Sequence, residues 1–395
     1  MKIGIDLTFL NNSSSHQGVY TYAVGLLDGF EKKKNLNFQI YVGQSHKLKF
    51  LNRYKKKNNF EIIQINENYK ILKKFIDLFF IFFGYFNIYL FKIHYFFTNI
   101  LNKNFKKVVE KNSDKIIFVN VNENHYNLNC KSIINFHDLL HEKKPELLTF
   151  KQRILRRLTY YNSAKYASKI VASSNTMKID FLNVYKFLDK KKIICINEGV
   201  NLKVFKSTKI QSAIKKKYKL PEKYIFYPAQ LWKHKNHIYI LKQFKNDKFI
   251  KKSNFNLVLT GGKKNHYKEI LDFIKFNNLK NVIYLGKVEI NDYIKIFSAA
   301  DFLIEATSYT SSSLPIIEAA ALKKIIISSN IPVLKEMGKT FKIFYFDLNK
   351  NNLGKIIKTI SKINYKPIVK FNFKAVKKFT WKKVASKYIA EVTNI

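Results

Sequence analysis

The segment YTSSSLPIIEAAALKK, residues 309–324, combines residue types that suit the binding of a phosphate-bearing ligand. Its serines stand before Pro315, which favours the first position of a helix, and before an Ala-rich apolar run. The N–H groups that open a helix have no partner within it and attract anions. Glu318, predicted in the first helical turn, either complements the helix dipole or accepts two hydroxyl hydrogen bonds from a ribose. The serines are predicted to leave backbone N–H groups that point towards a bound ligand.

A second candidate anion site follows a predicted strand that ends at Gln230, in the segment YPAQLWKHKNH. Lys235 and Asn236 are predicted to open a helix, where a lysine adds a point charge for phosphate to the positive end of the dipole. An ordinary solvated lysine is the alternative interpretation. The segment LVLTGGKKN places Gly261 and Gly262 after another strand, which either lets the backbone approach a ligand or makes a tight turn.

Two segments in the first half of the chain suit a catalytic or ligand-closing role. The segment NFHDLLHEKKPE ends a predicted strand with His137 and Asp138, a pair that can make directed hydrogen bonds to a substrate. A purely structural histidine is the alternative. In SSSHQGVYTYAVGLL, Gly18 precedes a predicted helix, so this loop is predicted either to close over a ligand or to be a polar linker.

Strand-like apolar runs alternate with helical patterns along the chain, which is typical of parallel sheets covered by helices on both faces. Such sheets bind ligands outside the carboxyl ends of their strands. The sequence therefore predicts an α/β fold with two doubly wound domains, a ligand cleft between them, and a boundary in the charged segment 201–223. The predicted strands lie in KIGIDLTF, FQIYVG, KIIFVNVN, SIINFHD, SKIVASS, KIICINEG, YIFYPAQ, FNLVLTGG, NVIYLGKV, DFLIEAT and KIIISSN.

The chain carries 72 lysine and arginine residues against 27 aspartates and glutamates, a formal net charge of +45 over 395 residues. Such a field attracts nucleotides, phosphorylated substrates, nucleic acids and anionic lipids. Part of the charge accompanies an abundance of lysine, asparagine, isoleucine and phenylalanine that AT-rich genomes favour. Because the sequence has no zinc-finger spacing, aromatic–glycine RNA motif or basic heptad run, no specific nucleic-acid partner is predicted.

The cysteine content and the N-terminal segment both favour a cytoplasmic location. Cys130 and Cys195 make neither a disulfide framework nor a metal-ligand cluster, which fits a reducing compartment. The N-terminal MKIGIDLTFL has too short an apolar run for a signal peptide. The predicted location is the cytoplasm, including the inner face of the cytoplasmic membrane.

Residues 75–97, FIDLFFIFFGYFNIYLFKIHYFF, are apolar and aromatic and have three interpretations. A membrane-spanning helix needs roughly 20 apolar residues, and Asp77, Asn87 and Lys92 interrupt this one. A pair of buried helices would hide the same side chains in a core. A surface helix would rest in the interface of an anionic bilayer, with its aromatic side chains at headgroup depth and lysines on the lipid phosphates.

In order and spacing, these motifs resemble the retaining GT-B glycosyltransferases of family 4, the large group 1 family. QGVYTYAVGLL is similar to that family's glycine loop, IINFHDLLHEKKPE to its His-Asp segment, and IVASSNTMKIDF and IICINEGVNLKVF to the end of its first domain. YPAQLWKHKNH is similar to its phosphate-binding element, and LVLTGG, VIYLGKV and YIKIFSAADFLIEATSYTSSSLPIIEAAALKK to its nucleotide-binding core. FTWKKVASKYIAEV resembles the final helix, which in this fold crosses back onto the first domain.

The resemblance implies a GT-B domain organisation. An acceptor-binding Rossmann-like domain would occupy residues 1–203, and a nucleotide-sugar-binding Rossmann-like domain would occupy residues 204–370. Residues 371–395 would form the C-terminal helix that returns to the first domain.

The sequence departs from the family pattern at two positions. The family usually has two glutamates eight positions apart, and Glu318 stands at the second of them, whereas Thr310 stands at the first. Glu305 lies five positions too early to take that place. The phosphate-binding arginine of the family falls at Gln230, while its lysine is present as Lys235. The loss of a carboxylate at 310 predicts an altered donor sugar, such as a deoxysugar, with nucleotide binding retained.

The resemblance implies transfer of a hexose or deoxyhexose from a nucleotide diphosphate sugar to a glycan or lipid-linked acceptor, with the anomeric configuration retained. No cofactor and no metal would take part. His137 and Asp138 would be catalytic. The residues that would bind the donor are Gly18, Gln230, Lys235, Asn236, Gly261, Thr310, Ser312, Ser313, Leu314 and Glu318. Cell-surface polysaccharide assembly at an anionic membrane surface is the expected setting.

Two alternatives to an active transferase stay open. A degenerate GT-B protein would bind nucleotide sugar or glycan without turnover, which the departures at Thr310 and Gln230 favour. His137, Lys235 and Glu318 favour an enzyme. A GT-B sugar-nucleotide epimerase would need acidic pairs that this sequence lacks.

Overall fold

The computed structural model of the chain describes residues 1–10, 18–44, 48–66, 70–83, 89–121, 128–205 and 211–395. These residues form two compact units. The first unit comprises Met1–Glu198 together with Trp381–Ile395, and the second comprises Gly199–Thr380. Residues 13–17 of the predicted glycine loop and residues 84–88 of the aromatic stretch lie outside the described residues.

Strands and helices alternate along the described chain, as the apolar pattern predicts. The strands are β1 Lys2–Asp6, β2 Asn37–Gly43, β3 Phe60–Ile65, β4 Lys115–Phe118, β5 Lys131–Phe136, β6 Lys169–Ala172, β7 Ile193–Cys195, β8 Tyr224–Pro228, β9 Asn256–Thr260, β10 Val282–Tyr284, β11 Phe302–Glu305, β12 Ile325–Ser329 and β13 Phe344–Phe346. The α-helices are α1 Gly18–Phe30, α2 Lys70–Phe83, α3 Tyr89–Leu101, α4 Lys103–Asn112, α5 Leu140–Lys143, α6 Phe150–Tyr166, α7 Asn175–Val184, α8 Gln211–Tyr218, α9 His237–Asn246, α10 Lys248–Lys252, α11 Tyr267–Phe276, α12 Ile290–Ala299, α13 Leu314–Ala321, α14 Pro332–Met337, α15 Leu353–Lys362, α16 Lys366–Val376 and α17 Trp381–Thr393. Short 3-10 helices cover Lys49–Arg53, Pro145–Leu147, Lys190–Lys192 and Lys233–Lys235.

The first unit is built on a parallel sheet with the strand order β3-β2-β1-β4-β5-β6-β7 among the described residues. Its central strands are buried on both faces, which is why they read as continuous apolar runs. In β4, Ile116 and Phe118 lie in one core. Ile117, the residue between them, is also fully buried and points to the other face of the sheet. The strand order reverses between β1 and β4, as in a doubly wound fold.

Helices α1 and α17 pack closely in the first unit because α1 carries glycines four residues apart on one face. A Cβ atom at Gly25 would lie 2.0 Å from the Trp381 ring, and one at Gly29 would lie 2.3 Å from the Trp381 carbonyl oxygen. The Tyr22 and Tyr388 hydroxyl groups join the two helices by a buried hydrogen bond of 2.8 Å. The final helix therefore completes the core of the first unit.

The second unit is built on a parallel sheet with the strand order β10-β9-β8-β11-β12-β13. Alternate residues of β8 enter two cores: Tyr224 and Phe226 lie in one, and Ile225 and Tyr227 lie in the other. Helices therefore cover both faces of this sheet. The predicted α/β fold with two doubly wound units is confirmed.

The aromatic stretch forms parts of α2 and α3, which pack against α6. Phe80 is fully buried against Ile154 and Leu158 of α6, so one face of the helix pair belongs to the core. The other face is exposed. Among the described residues, no helix is long and apolar enough to cross a bilayer. The exposed large apolar side chains of α2 and α3 are Leu72, Phe75, Leu78, Phe79, Ile93, Phe96, Phe97 and Ile100.

Candidate functional site

The second unit brings polar residues together at its topological switch point, which lies at the paired strands β8 and β11. The chain continues from β8 towards β9 and β10 on one side, and from β11 towards β12 and β13 on the other. In doubly wound sheets, ligands bind in the crevice outside the carboxyl ends of the two strands at the switch point. The loop after β8 carries Lys235, and the loop after β11 carries residues 306–313.

Lys235 is held in a tight turn between β8 and α9. It ends the 3-10 helix Lys233–Lys235, and Asn236 adopts a left-handed conformation with φ 56° and ψ 39° before α9 begins. Asparagine is among the few residues that tolerate this conformation. The Tyr227 hydroxyl donates to the Lys235 carbonyl oxygen at 2.5 Å, which fixes the turn from below. Strand β8 ends at Pro228, so the prediction that it runs to Gln230 was wrong.

The two loops at the switch point are joined through the carbonyl oxygen of His234. That oxygen accepts hydrogen bonds from the Ser308 N–H at 2.8 Å, the Ser308 hydroxyl at 3.1 Å and the Thr307 hydroxyl at 3.2 Å. The Thr307 carbonyl in turn accepts from the Ser329 hydroxyl at 2.7 Å, which ties the loop to β12. The turn that carries Lys235 is therefore fixed relative to the start of α13.

A buried carboxylate lies between these loops. Glu305 ends β11 and is 1% exposed. Its Oε2 accepts a hydrogen bond from the Ser313 hydroxyl at 3.0 Å, and its Oε1 lies 3.7 Å from Lys235 Nζ. Lys235 is thus paired with a protein carboxylate.

Helix α13 begins at Leu314, with Ser313 as its N-cap. The Ser313 hydroxyl accepts from the Ile316 N–H at 3.4 Å, and Pro315 is the second helical residue. The first N–H groups of this helix have no acceptor within it. The first turn contains no acidic residue, so the prediction that Glu318 lies there was wrong, and the helix-dipole role proposed for it weakens with the distance.

Glu318 is buried on α13, at 6% exposure, and α12 holds its carboxylate. The Tyr293 hydroxyl donates to Glu318 Oε2 at 2.6 Å. Burial raises the pKa of Tyr293 well above its ordinary value, and the neighbouring Glu318 carboxylate raises it further. Tyr293 therefore stays protonated and fixes one carboxylate oxygen.

The positions that depart from the family pattern have neutral side chains with local contacts. The Thr310 hydroxyl donates to the Ser312 carbonyl oxygen at 2.5 Å, so its proton is used within the loop. The backbone carbonyl oxygen of Gln230 accepts from the Trp232 N–H at 2.7 Å, and the Gln230 side chain is half-buried. The two positions contribute no formal charge to the switch point.

The double glycine after β9 has two different environments. Gly261 has φ +150°, and a Cβ there would lie 2.2 Å from the Ala229 carbonyl oxygen, so this glycine allows the loops after β8 and β9 to touch. A Cβ on Gly262 would meet nothing within 4 Å. The open position beside the switch point is thus Gly262, while Gly261 is required by the loop packing.

In the first unit, the predicted His137 follows β5 directly and is bonded to the end of β4. Its Nε2 lies 2.9 Å from the Val119 carbonyl oxygen, which only accepts, so Nε2 carries the proton. The Tyr22 ring of α1 packs edge-on against the imidazole at a centroid distance of 5.2 Å. Burial lowers the pKa of His137, so a neutral imidazole is present at pH 7.

Asp138 is held by protein groups rather than left for a ligand. One of its oxygens forms an ion pair with Arg156 of α6 and also accepts from the Leu140 N–H at 2.8 Å. Burial alone would raise the pKa of Asp138, but the Arg156 guanidinium and the Leu140 N–H lower it below its ordinary value. These contacts describe an aspartate that fixes the start of α5. Gly18, the first residue of α1, is exposed, with open space where a Cβ would stand.

Two buried histidines predict a pH dependence of stability. Burial lowers the pKa of His141 in the first unit and of His237 in the second to about 3. An unfolded histidine has a pKa of about 6.5, so between these values the unfolded chain binds more protons than the folded protein. The stabilisation is therefore complete above pH 6.5 and is lost as the pH falls towards 3. Each histidine is expected to remove about 2 kcal/mol of unfolding free energy between pH 7 and pH 5, measured by urea unfolding.

A variant separates this effect from other titrations. The chain has two tryptophans, Trp381 in the first unit and Trp232 in the second, so single Trp→Phe backgrounds report on each unit separately. His141→Gln should reduce the pH dependence that Trp381 reports, where His137 still contributes, and leave that reported by Trp232 unchanged. An unchanged pH dependence at Trp381 would contradict the assignment.

Sequence reasoning missed four residues that hold the predicted ones in place: Glu305, Tyr293, Tyr227 and Arg156. Glu305 had a signal, since a charged residue inside the apolar strand DFLIEAT must find a partner when it is buried. The tyrosines and the arginine had none, because their partners are distant in sequence and only the fold brings them together.

The sequence predicts neither a disulfide framework nor a cluster of metal ligands. Within the described ranges, no group of three or more of these side chains could hold a metal ion. Cys130 and Cys195 are both in the thiol form, outside any disulfide, and burial raises the pKa of Cys130 to about 11. The expectation that the reaction needs no metal stays a prediction.

Known proteins resemble both the sequence and the fold. Residues 209–366 match the family described as Glycosyl transferases group 1. The O-antigen chain mannosyltransferase RfbU of Salmonella typhimurium strain LT2 is 25% identical over 231 residues, which are 58% of this chain and 61% of RfbU. The chain thus spans about three fifths of the length of that curated relative.

Solved structures resemble the chain over its full length. HepE of Anabaena, in complex with UDP and glucose, superposes with a TM-score of 0.73 at 13% identity and with full coverage of both chains. A glycosyltransferase from Rickettsia africae has a TM-score of 0.71 at 19% identity, covering 100% of this chain and 98% of its own. These likenesses confirm the predicted fold. The chain has the GT-B fold, and its residues 209–366 are similar to the glycosyl transferases group 1 family.

Proposed function

We propose that this protein is a retaining glycosyltransferase that moves a hexose or deoxyhexose from a nucleotide diphosphate sugar to a glycan or lipid-linked acceptor. The observation that carries the proposal is the convergence of Lys235, the start of α13 and the Tyr293-bound Glu318 at the switch point of the second unit. These residues lie within the segment that matches the group 1 family. RfbU, a mannosyltransferase that acts on O-antigen chains, supports a role in cell-surface polysaccharide assembly.

The chemistry follows from charge and position. The leaving nucleoside diphosphate develops negative charge, which the Lys235 ammonium and the N–H groups at the start of α13 stabilise. Glu318, whose carboxylate Tyr293 holds in place, accepts hydrogen bonds from the ribose hydroxyl groups. A double displacement would need two carboxyl groups about 5 Å apart, whereas a same-face substitution through an oxocarbenium-like state needs mainly positioning and charge stabilisation.

Within this proposal, the two residues predicted as catalytic have different roles. His137 supplies a neutral imidazole that contacts the reacting sugar as a hydrogen-bonding group. Asp138, bound to Arg156, supports the loop that carries His137. His137→Ala is therefore expected to lower turnover more than Asp138→Asn does.

A donor screen tests the proposed activity. The purified chain is incubated with UDP-, GDP-, ADP- and dTDP-sugars, including deoxysugars, and released nucleoside diphosphate is measured with and without glycan acceptors. Acceptor-dependent release from one donor is expected. Binding of a nucleotide sugar by calorimetry without any release would instead identify the degenerate, non-catalytic protein, which the neutral Thr310 and Gln230 favour.

The threonine at position 310 predicts an altered donor. Its hydroxyl is bonded to the Ser312 carbonyl, so the position offers the donor sugar no negative acceptor. Thr310→Glu is expected to shift the preference from a deoxysugar donor towards the hydroxylated hexose, and the affinity for the free nucleoside diphosphate should change less than twofold. The ratio of kcat/KM for the two donors measures the shift. An unchanged ratio and rate would contradict the role of this position.

The proposed enzyme also works at an anionic membrane surface. The exposed faces of α2 and α3 carry phenylalanines beside Lys92, and Lys103 and Lys107 are exposed on the following helix α4. Aromatic side chains suit headgroup depth, and lysines suit anionic lipid. A lipid-linked acceptor would be met there.

Liposome flotation tests the membrane contact. The wild-type chain is expected to float with vesicles of phosphatidylcholine and phosphatidylglycerol, and Phe75→Ser/Phe96→Ser should reduce the bound fraction at least about threefold, because two exposed rings leave the interface. Phe276→Ser is the matched control, since Phe276 is 91% exposed on the second unit. Equal flotation of the double variant and the control would place the contact elsewhere, and no flotation of the wild type would end the membrane proposal.

A further inference from the structure

The charge of a buried carboxylate must be balanced by hydrogen bonds or an opposite charge. Glu305, at the end of β11, has such partners in both loops of the switch point. Ser313 donates a hydrogen bond to its Oε2, while Oε1 has no hydrogen-bond partner among the described residues. Lys235 Nζ stands 3.7 Å from Oε1. That separation exceeds a hydrogen bond, so the pair attracts by charge and leaves the ammonium donors for another acceptor.

We infer that Glu305 is a positioning residue that links Lys235 to Ser313 and thereby sets the spacing of the two groups that hold the donor's diphosphate. The inference rests on the proposed function. Both oxygens of Glu305 face protein groups and the side chain is 1% exposed, so Glu305 acts through Lys235 and Ser313 rather than on the ligand.

The physical benefit is preorganisation. A lysine side chain has four rotatable bonds and loses conformational entropy when a ligand fixes it. Because Glu305 already confines the ammonium beside the start of α13, less of that cost falls on donor binding. Position 230, where the family has an arginine, is a neutral glutamine, so the placement of the Lys235 charge matters more for binding of the diphosphate.

The arrangement has a consequence that needs no ligand. Removal of one partner of a buried ion pair leaves an uncompensated charge and is strongly destabilising, whereas removal of both is tolerated. Lys235→Met is therefore expected to lower the Tm of the second unit by about 10 °C. Lys235→Met/Glu305→Gln should recover at least half of that loss. Lys233→Met, an exposed lysine of the same turn, is the matched control and should shift the Tm by less than about 1 °C.

Binding supplies the second arm of the test. Calorimetry is run with UDP, GDP, ADP, dTDP and pyrophosphate on the full chain. Glu305→Gln is expected to weaken binding of the best nucleoside diphosphate about tenfold. In the Lys235→Met background, Glu305→Gln should change the affinity for the same nucleoside diphosphate less than twofold, because Glu305 acts through Lys235.

The outcomes separate the two proposals. Failure of every nucleotide to bind the wild type overturns the proposed function, while the Tm cycle still decides whether Glu305 and Lys235 are coupled. A double variant whose Tm is no higher than that of Lys235→Met overturns the positioning role. Unchanged or tighter nucleoside diphosphate binding by Glu305→Gln also overturns it, as does an equal loss in both backgrounds.

Discussion

Replacing Gly29 with alanine is expected to lower the free energy of unfolding of the first unit by about 3 kcal/mol. The added Cβ would lie 2.3 Å from the Trp381 carbonyl oxygen and 2.6 Å from the Ala385 Cβ, so α17 has to move away from α1. The first contact is with backbone, which cannot rotate aside as a side-chain end can. Urea unfolding in a background that keeps Trp381 as the only tryptophan measures the loss.

The matched control for this prediction is another glycine of the same helix. Gly18→Ala adds a methyl group that meets nothing within 4 Å, and alanine favours a helix over glycine by up to about 1 kcal/mol. It should leave the unfolding free energy unchanged or slightly higher. A Gly29→Ala variant as stable as Gly18→Ala would show that α17 does not pack in the groove of α1.

Glu318→Gln is expected to lower kcat/KM about 100-fold with the donor identified by the screen. It is also expected to weaken binding of the free nucleoside diphosphate to a similar extent. The amide keeps an acceptor for Tyr293 but loses the charge that strengthens hydrogen bonds to both ribose hydroxyl groups. Initial-rate kinetics and calorimetry measure the two losses. A large loss of kcat/KM with the sugar nucleotide, with unchanged binding of the free nucleoside diphosphate, would show that Glu318 contacts the sugar rather than the ribose.

Removal of the Tyr293 hydroxyl tests the same carboxylate with a smaller expected effect. Tyr293→Phe frees Glu318 Oε2 from its 2.6 Å hydrogen bond, and about a tenfold loss of kcat/KM is expected. Combined with Glu318→Gln, the two losses should be less than additive, since both act through one carboxylate. Tyr345→Phe removes the hydroxyl of a half-buried tyrosine that donates to the Leu334 carbonyl, and serves as the control.

The sequence was sufficient to predict the fold where strands are buried on both faces, because these read as continuous apolar runs. Two edge strands were missed. In β3, Phe60 and Ile65 are buried, but Glu61 and Gln64 are exposed, and the preceding lysines and asparagines mask the alternation. The other, β13, has only three residues, too few for a period to appear.

The candidate site was predictable to the level of its loops but not of its contacts. Strand ends and glycines locate Lys235 and the start of α13 from local sequence. The pairing of Lys235 with Glu305 spans three crossovers, from β8 to β9, to β10 and to β11, and the Tyr293 contact depends on how α12 packs against α13. Such contacts follow from tertiary packing, which no local pattern encodes.

The return of α17 to the first unit has a consequence for biosynthesis. Gly199–Thr380 must leave the ribosome before Trp381 can reach the groove at Gly25 and Gly29. At the usual speed of translation, that interval lasts on the order of 10 to 40 s. During that interval the groove of α1 in the first unit stays open and apolar, so the nascent N-terminal half is where a chaperone would bind.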